Sequence, residues 1–162
     1  MKTRIILLFI SVSISYLSIG QNIYPIVYND CNTSQFFLEG KEINATYDDK
    51  MLITDIIKTI EVKTLNKIKG TICFQVVIDT LGNHYCVSIK DELNSKGKKT
   101  DFKSIIDNHT KWSIPIRKGK KTTVSAMIRI EFEKEKIILK RMGYNGKIGW
   151  IELSKYELIK NK

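Results

Sequence analysis

His84 and Cys86 stand at i and i+2, a spacing that on a β-strand sends both side chains to one side; Cys73, Cys31 and His109 are the remaining soft donors. Converging thiolates and imidazoles bind zinc, and paired thiols make a disulfide. Zinc requires three or four ligands at one point, and strand register holds off the third candidate. With Ile78 facing Tyr85, Cys86 faces Val77, and Cys73 lies four positions further along, about 13 Å at the usual strand rise. A disulfide needs Cα atoms within about 7 Å, so the same separation keeps Cys73 and Cys86 from bridging. Cys31 can meet either, and spacing does not choose between them. His109 falls on the apolar stripe of a helix and reads as a packing residue. No metal site and no cofactor is expected. No Ser-His-Asp order, Gly-rich phosphate loop or paired-carboxylate pattern stands out, so the expectation is a protein that binds rather than an enzyme.

The element that carries Cys73, His84 and Cys86 is a hairpin over 70–90. Ile72, Phe74, Val76 and Ile78 recur at period two, with Thr71, Cys73, Gln75 and Asp79 opposite them. Tyr85, Val87 and Ile89 repeat the apolar face, which puts His84, Cys86, Ser88 and Lys90 on the other side. Between the runs, Asp79 can bond the turn backbone and Gly82 can take a positive φ.

Two helices flank the hairpin in sequence. Asp48 or Asp49 caps the first, whose Ile53, Ile56, Ile57 and Ile60 form one stripe, although its β-branched content leaves a strand open. Thr100 or Asp101 caps the second, with Phe102, Ile105, Ile106 and His109 on one face, and Pro115 requires it to end near Lys111. Trp112 is expected as a core plug. A basic turn over 117–121 then leads to a third strand over 122–133, with Val124, Ala126, Ile128, Ile130 and Phe132 on one face and Thr123, Ser125, Met127, Arg129 and Glu131 on the other. The order helix, strand, strand, helix, strand predicts an α+β fold: a two-layer sandwich with an antiparallel three-stranded sheet and two helices on one face. The segment 21–47 is irregular, with a short strand expected around 26–28 or 35–38. The segment 134–162 suggests an additional C-terminal hairpin, from 137–141 and 148–153 about a turn at Tyr144-Asn145-Gly146, which could cover the free edge of the third strand.

The first twenty residues read as a signal peptide. Lys2 and Arg4 precede an apolar run over 5–17, and Ser18-Ile19-Gly20 supplies small residues at the cleavage point. The expected location is the periplasm, with an inner-membrane anchor as the alternative where the segment is retained. The formal net charge is +10, and setting aside Lys2 and Arg4 leaves eight net positive charges. The lysines are spread without aromatic interleaving, which points to a solvated basic surface and away from nucleic acid.

Gly70 opening a strand, Asp-x-x-Gly at 79–82, a helix ending in Trp112, then Pro115, Gly119 and a strand closing on Phe132 are in an order that resembles the C-terminal domain of TonB-type energy transducers, in particular the divergent versions from Bacteroidetes. The likeness covers 48–133. It implies a periplasmic domain that grips an extended peptide of an outer-membrane TonB-dependent receptor. Such gripping works by strand addition, in which backbone hydrogen bonds supply affinity. The expected binding edge is the strand carrying Thr123, Ser125, Met127, Arg129 and Glu131, flanked by Arg117, Lys118, Lys120 and Lys121. The chain departs from such transducers in having two prolines and no proline-rich spacer. The other reading is an exported envelope domain of this fold whose basic surface contacts anionic lipid at a membrane surface, or polysaccharide.

Overall fold

The computed structural model describes residues 22–28, 35–109 and 111–158. The expected signal segment and Cys31 lie outside them. The elements run β1 (Ile26–Val27), β2 (Phe37–Leu38), α1 (Asp49–Thr59), α2 (Val62–Leu65), β3 (Gly70–Ile78), β4 (His84–Leu93), α3 (Phe102–His109), β5 (Ile116–Arg117), β6 (Lys120–Lys121), β7 (Val124–Phe132), β8 (Lys136–Met142) and β9 (Trp150–Glu157). The fold is α+β, with a mostly antiparallel sheet and three α-helices among the described residues. The sheet has seven strands, not the three expected. Its order is β1-β4-β3-β7-β8-β9, with β2 added to β7 in parallel.

The two long helices start where short polar side chains can replace missing backbone partners. Asp48 accepts from the backbone N–H groups of Lys50 and Met51 at 2.9 and 3.2 Å, which caps α1 and aims Leu52, Ile53 and Ile56 at the sheet. Asp101 accepts from Ser104 N at 3.0 Å at the start of α3, whose Phe102, Ile105 and Ile106 are buried. The two helices pack side by side, α3 against β4 and α1 against β8 and β9. Beneath them lie Ile72, Phe74, Val76 and Ile78 of β3, the alternate apolar residues of β7, and Ile137 and Leu139 of β8. Trp112 is buried after α3, with its ring 4.3 Å from that of Tyr47.

The hairpin register departs from expectation. Ile78 pairs with His84, not Tyr85, and the pairing slips between Gln75 and Val76, so Val76 meets Cys86 while Gln75 meets Ser88. Val87 is therefore the extra residue of a β-bulge. The bulge inverts the faces on its far side: His84 and Cys86 lie opposite Ile78 and Val76 on the helix-covered face, whereas Cys73 points to the other face. Asp107 of α3 holds the bulge by accepting from Cys86 N at 2.8 Å, while Tyr28 N donates to Val87 O at 2.9 Å. Cys73 pairs with Lys90, so it is apart from Cys86 both along the strand and across the sheet. Among the described residues, no three His, Cys, Asp or Glu converge as a metal site would require.

Candidate functional site

The strand expected to offer a free edge is internal. β7 pairs with β3 over its whole length, Gly70 opposite Phe132 and Ile78 opposite Val124. Its other side is filled by the chain itself. Ile128 to Phe132 pair with Arg141 to Ile137 of β8, and Phe37 and Leu38 pair with Val124 and Ser125. Phe37 N donates to Thr123 O at 3.0 Å and Glu39 N to Ser125 O at 3.2 Å. An extended segment added along β7 is what the resemblance implies for a receptor peptide; here β2 and β8 occupy that position in cis.

The five predicted site residues are correspondingly engaged. The carbonyl of Thr123 is used by β2, and buried Ser125 accepts from Gln75 Nε2 at 3.3 Å. That contact belongs to a polar chain in which Ser88 Oγ donates to Gln75 Oε1 at 2.7 Å, and the N–H groups of Ile23 and Tyr24 donate to Gln75 and Ser88. Met127 is half-buried beside Gln75. Arg129 forms an ion pair with Glu131 at 2.8 Å, Lys140 another with Glu131 at 2.9 Å, and the Arg129 guanidinium lies 5.7 Å from the Trp150 ring centroid. This is a polar sheet face, with two cations sharing one carboxylate, knitted to β8 and β9.

A buried ion pair locks the cis arrangement. Period two along β8 puts Arg141 on the face of Ile137 and Leu139, toward the helices, and its side chain is 1 % exposed. It donates to both carboxylate oxygens of Glu39, immediately after β2, and to Ala45 O at 2.6 Å. The rings of Tyr47, Trp112 and Tyr144 surround the guanidinium at 4.5–5.6 Å. Glu39 also accepts from Ala45 N at 3.0 Å. Burial pushes the Glu39 carboxyl above its ordinary range, and Arg141 limits the rise; burial likewise pushes Asp49 up and Tyr47 well up. Charges so thoroughly paired and hydrogen-bonded are the form in which a buried arginine is tolerated. The turn of β8–β9 closes over the same spot, where Asn145 N donates to Asn44 Oδ1 at 3.0 Å. A Cβ on Gly146 would stand 2.8 Å from Lys41 Cβ, so only glycine fits there.

A long open edge among the described residues is the outer side of β9, which pairs only with β8; at the opposite end of the sheet two-residue β1 covers β4 at Ser88 and Ile89. A register slip between Leu139 and Lys140 makes Leu153 an extra residue and divides the edge into Trp150–Glu152 and Ser154–Glu157. Glu152, Lys155, Tyr156 and Glu157 are exposed, with Lys155 and Glu157 paired at 2.5 Å. Leu158 N donates to Glu135 O at 2.6 Å and anchors the strand end. The sequence placed the last hairpin where it could cover the β7 edge, and β8 does pair there; that its second strand would become an open edge was not anticipated.

The residues expected as the basic flank form a small hairpin. β5 and β6 pair through Ile116–Lys121 and Arg117–Lys120, with Lys118 and Gly119 at φ 49° and 76° in the turn. Arg117 bonds Glu42 at 3.4 Å and stacks 4.3 Å from the Phe37 ring centroid. At the neighbouring β3–β4 turn, Asp79 accepts from Leu81 N at 2.8 Å and from Asn83 N and Nδ2 at 2.9 Å. No family model, no curated protein and no solved structure matches the chain.

Proposed function

We propose that this chain is an exported, non-catalytic binding module of the periplasm. In this reading it takes an extended peptide, such as the segment an outer-membrane TonB-dependent receptor presents, by strand addition. The resemblance of 48–133 to the TonB C-terminal domain suggests the class of partner. The edge proposed is β9, in place of the β7 edge that β2 and β8 fill. One observation carries this: an eight-residue strand paired on one side only, with its outer backbone groups available for a ladder. The bulge at Leu153 implies a short ligand stretch of three or four paired residues on either side of it, and hence weak, sequence-tolerant binding.

The test is a titration of the full chain with a receptor-type peptide and with the same peptide N-methylated at alternate amides. Strand addition predicts that methylation on the pairing side abolishes binding while side-chain changes have smaller effects. Equal binding of the methylated peptides contradicts it.

A further inference from the structure

We propose that the end of the sheet bearing the β5–β6 hairpin is a docking surface for an anionic lipid bilayer. The hairpin presents Arg117, Lys118, Lys120 and Lys121, and its base is closed by Thr122 N donating to Pro115 O at 3.0 Å. It sits at the same end as the β3–β4 turn, because Ile78 pairs with Val124 just beyond it and Gly82 lies against Ile114. Large apolar side chains remain in water there: Leu81 is 73 % exposed and Ile116 58 %. The nearby acids are already engaged. Glu42 bonds Arg117, and Asp79 turns its carboxylate into its own turn. Lys118, Lys120 and Lys121 have no carboxylate partner among the described residues.

Cations interleaved with exposed aliphatic groups fit a lipid interface, where the charges meet anionic headgroups and the aliphatic groups leave water for the acyl boundary. An anionic polysaccharide would use the lysines and gain little from Leu81 or Ile116. The surface shares no residue with Trp150–Glu157, so it stands or fails separately from the peptide edge.

The experiment is co-sedimentation of the full chain with phosphatidylcholine vesicles and with phosphatidylglycerol-rich vesicles. The apolar run over 5–17 can enter either, so the readout is the anionic-to-neutral partition ratio and its change on substitution. The wild-type ratio is expected to be about tenfold or more, and Lys120→Glu with Lys121→Glu to remove most of it. Ile116→Ser is expected to lower anionic binding about three- to tenfold. These positions are exposed, so unchanged thermal melting should accompany the losses. A wild-type ratio near one overturns the proposal, as does indifference to the charge swap. Full retention by Ile116→Ser, with equal binding to a soluble anionic polysaccharide, assigns the surface to a polymer and overturns the lipid reading.

Discussion

Replacing Glu39 by Ala removes the carboxylate hydrogen-bonded to a guanidinium that is 1 % exposed and leaves it Ala45 O, three aromatic rings and the Coulombic attraction of Asp49. Removing one member of a buried pair costs about 3–5 kcal/mol, against a typical total of about 5–15 kcal/mol. For a chain of this length that is a drop in melting temperature on the order of 10 °C. Arg141→Met should behave differently with pH. It strands the carboxyl, which can take a proton, and it removes the charge that limits the Glu39 pKa. A carboxyl whose folded pKa is raised contributes stability that is complete below its ordinary value of 4.5 and is lost as pH rises through the folded value. The Arg141→Met penalty should thus be smallest in mild acid and grow toward neutrality. Glu39→Leu combined with Arg141→Met removes both charges and should recover to within about 2 kcal/mol of wild type. The assay is urea unfolding of wild type, Glu39→Leu, Arg141→Met and the double variant at two pH values, read as a double-mutant cycle, with Glu39→Ala measured alongside. A Glu39→Ala cost below about 1 kcal/mol at neutral pH would refute the clamp. Amide exchange should also quicken at Phe37 and Glu39, whose donors hold β2 on β7.

Gly70 has φ +111° and a Cβ there would lie 2.3 Å from Glu92 O, so Gly70→Ala should cost about 2 kcal/mol or more, measured by chemical denaturation. Asp107→Ala removes the acceptor of Cys86 N and the 2.5 Å partner of Lys103; a loss of about 1–3 kcal/mol is expected, with faster exchange at Cys86. Desolvation alone would raise the Asp79 pKa, but hydrogen bonds from Asn83 and the turn N–H groups outweigh it and lower it below 3.8. Its contribution should therefore be complete above about pH 4 and lost as pH falls through the lowered value, so the gap between wild type and Asp79→Ala should close in strong acid.

Much of the fold is legible because it depends on local periodicity. The stripes of α1 and α3, the alternation of β7, the Asp79–Gly82 turn and the final hairpin follow from spacing and turn chemistry. A short strand around 26–28 or 35–38 was legible, but not that both form and join β8 and β9 in one seven-stranded sheet, because β1 and β2 are two residues long and are held only by pairing with distant strands. The faces of His84 and Cys86 were misread because one inserted residue, Val87, shifts the alternation, and the Asp107 carboxylate that holds it comes from another element. The expected peptide edge failed for a related reason: alternation shows which face of β7 is apolar but is silent on which strands flank it. Arg141 did leave a signal, as a charge in phase with Ile137 and Leu139, but its partner Glu39 is 102 positions away.

Amide hydrogen exchange of the full chain, with and without a saturating receptor-type peptide, bears most directly on strand addition at β9. Strand addition at β9 predicts new protection within Trp150–Glu157 and none at Val124–Phe132, whose ladder is already filled. Protection at β7, with release of Phe37–Glu39 or of β8, would contradict it, as would a bound peptide that leaves β9 unprotected.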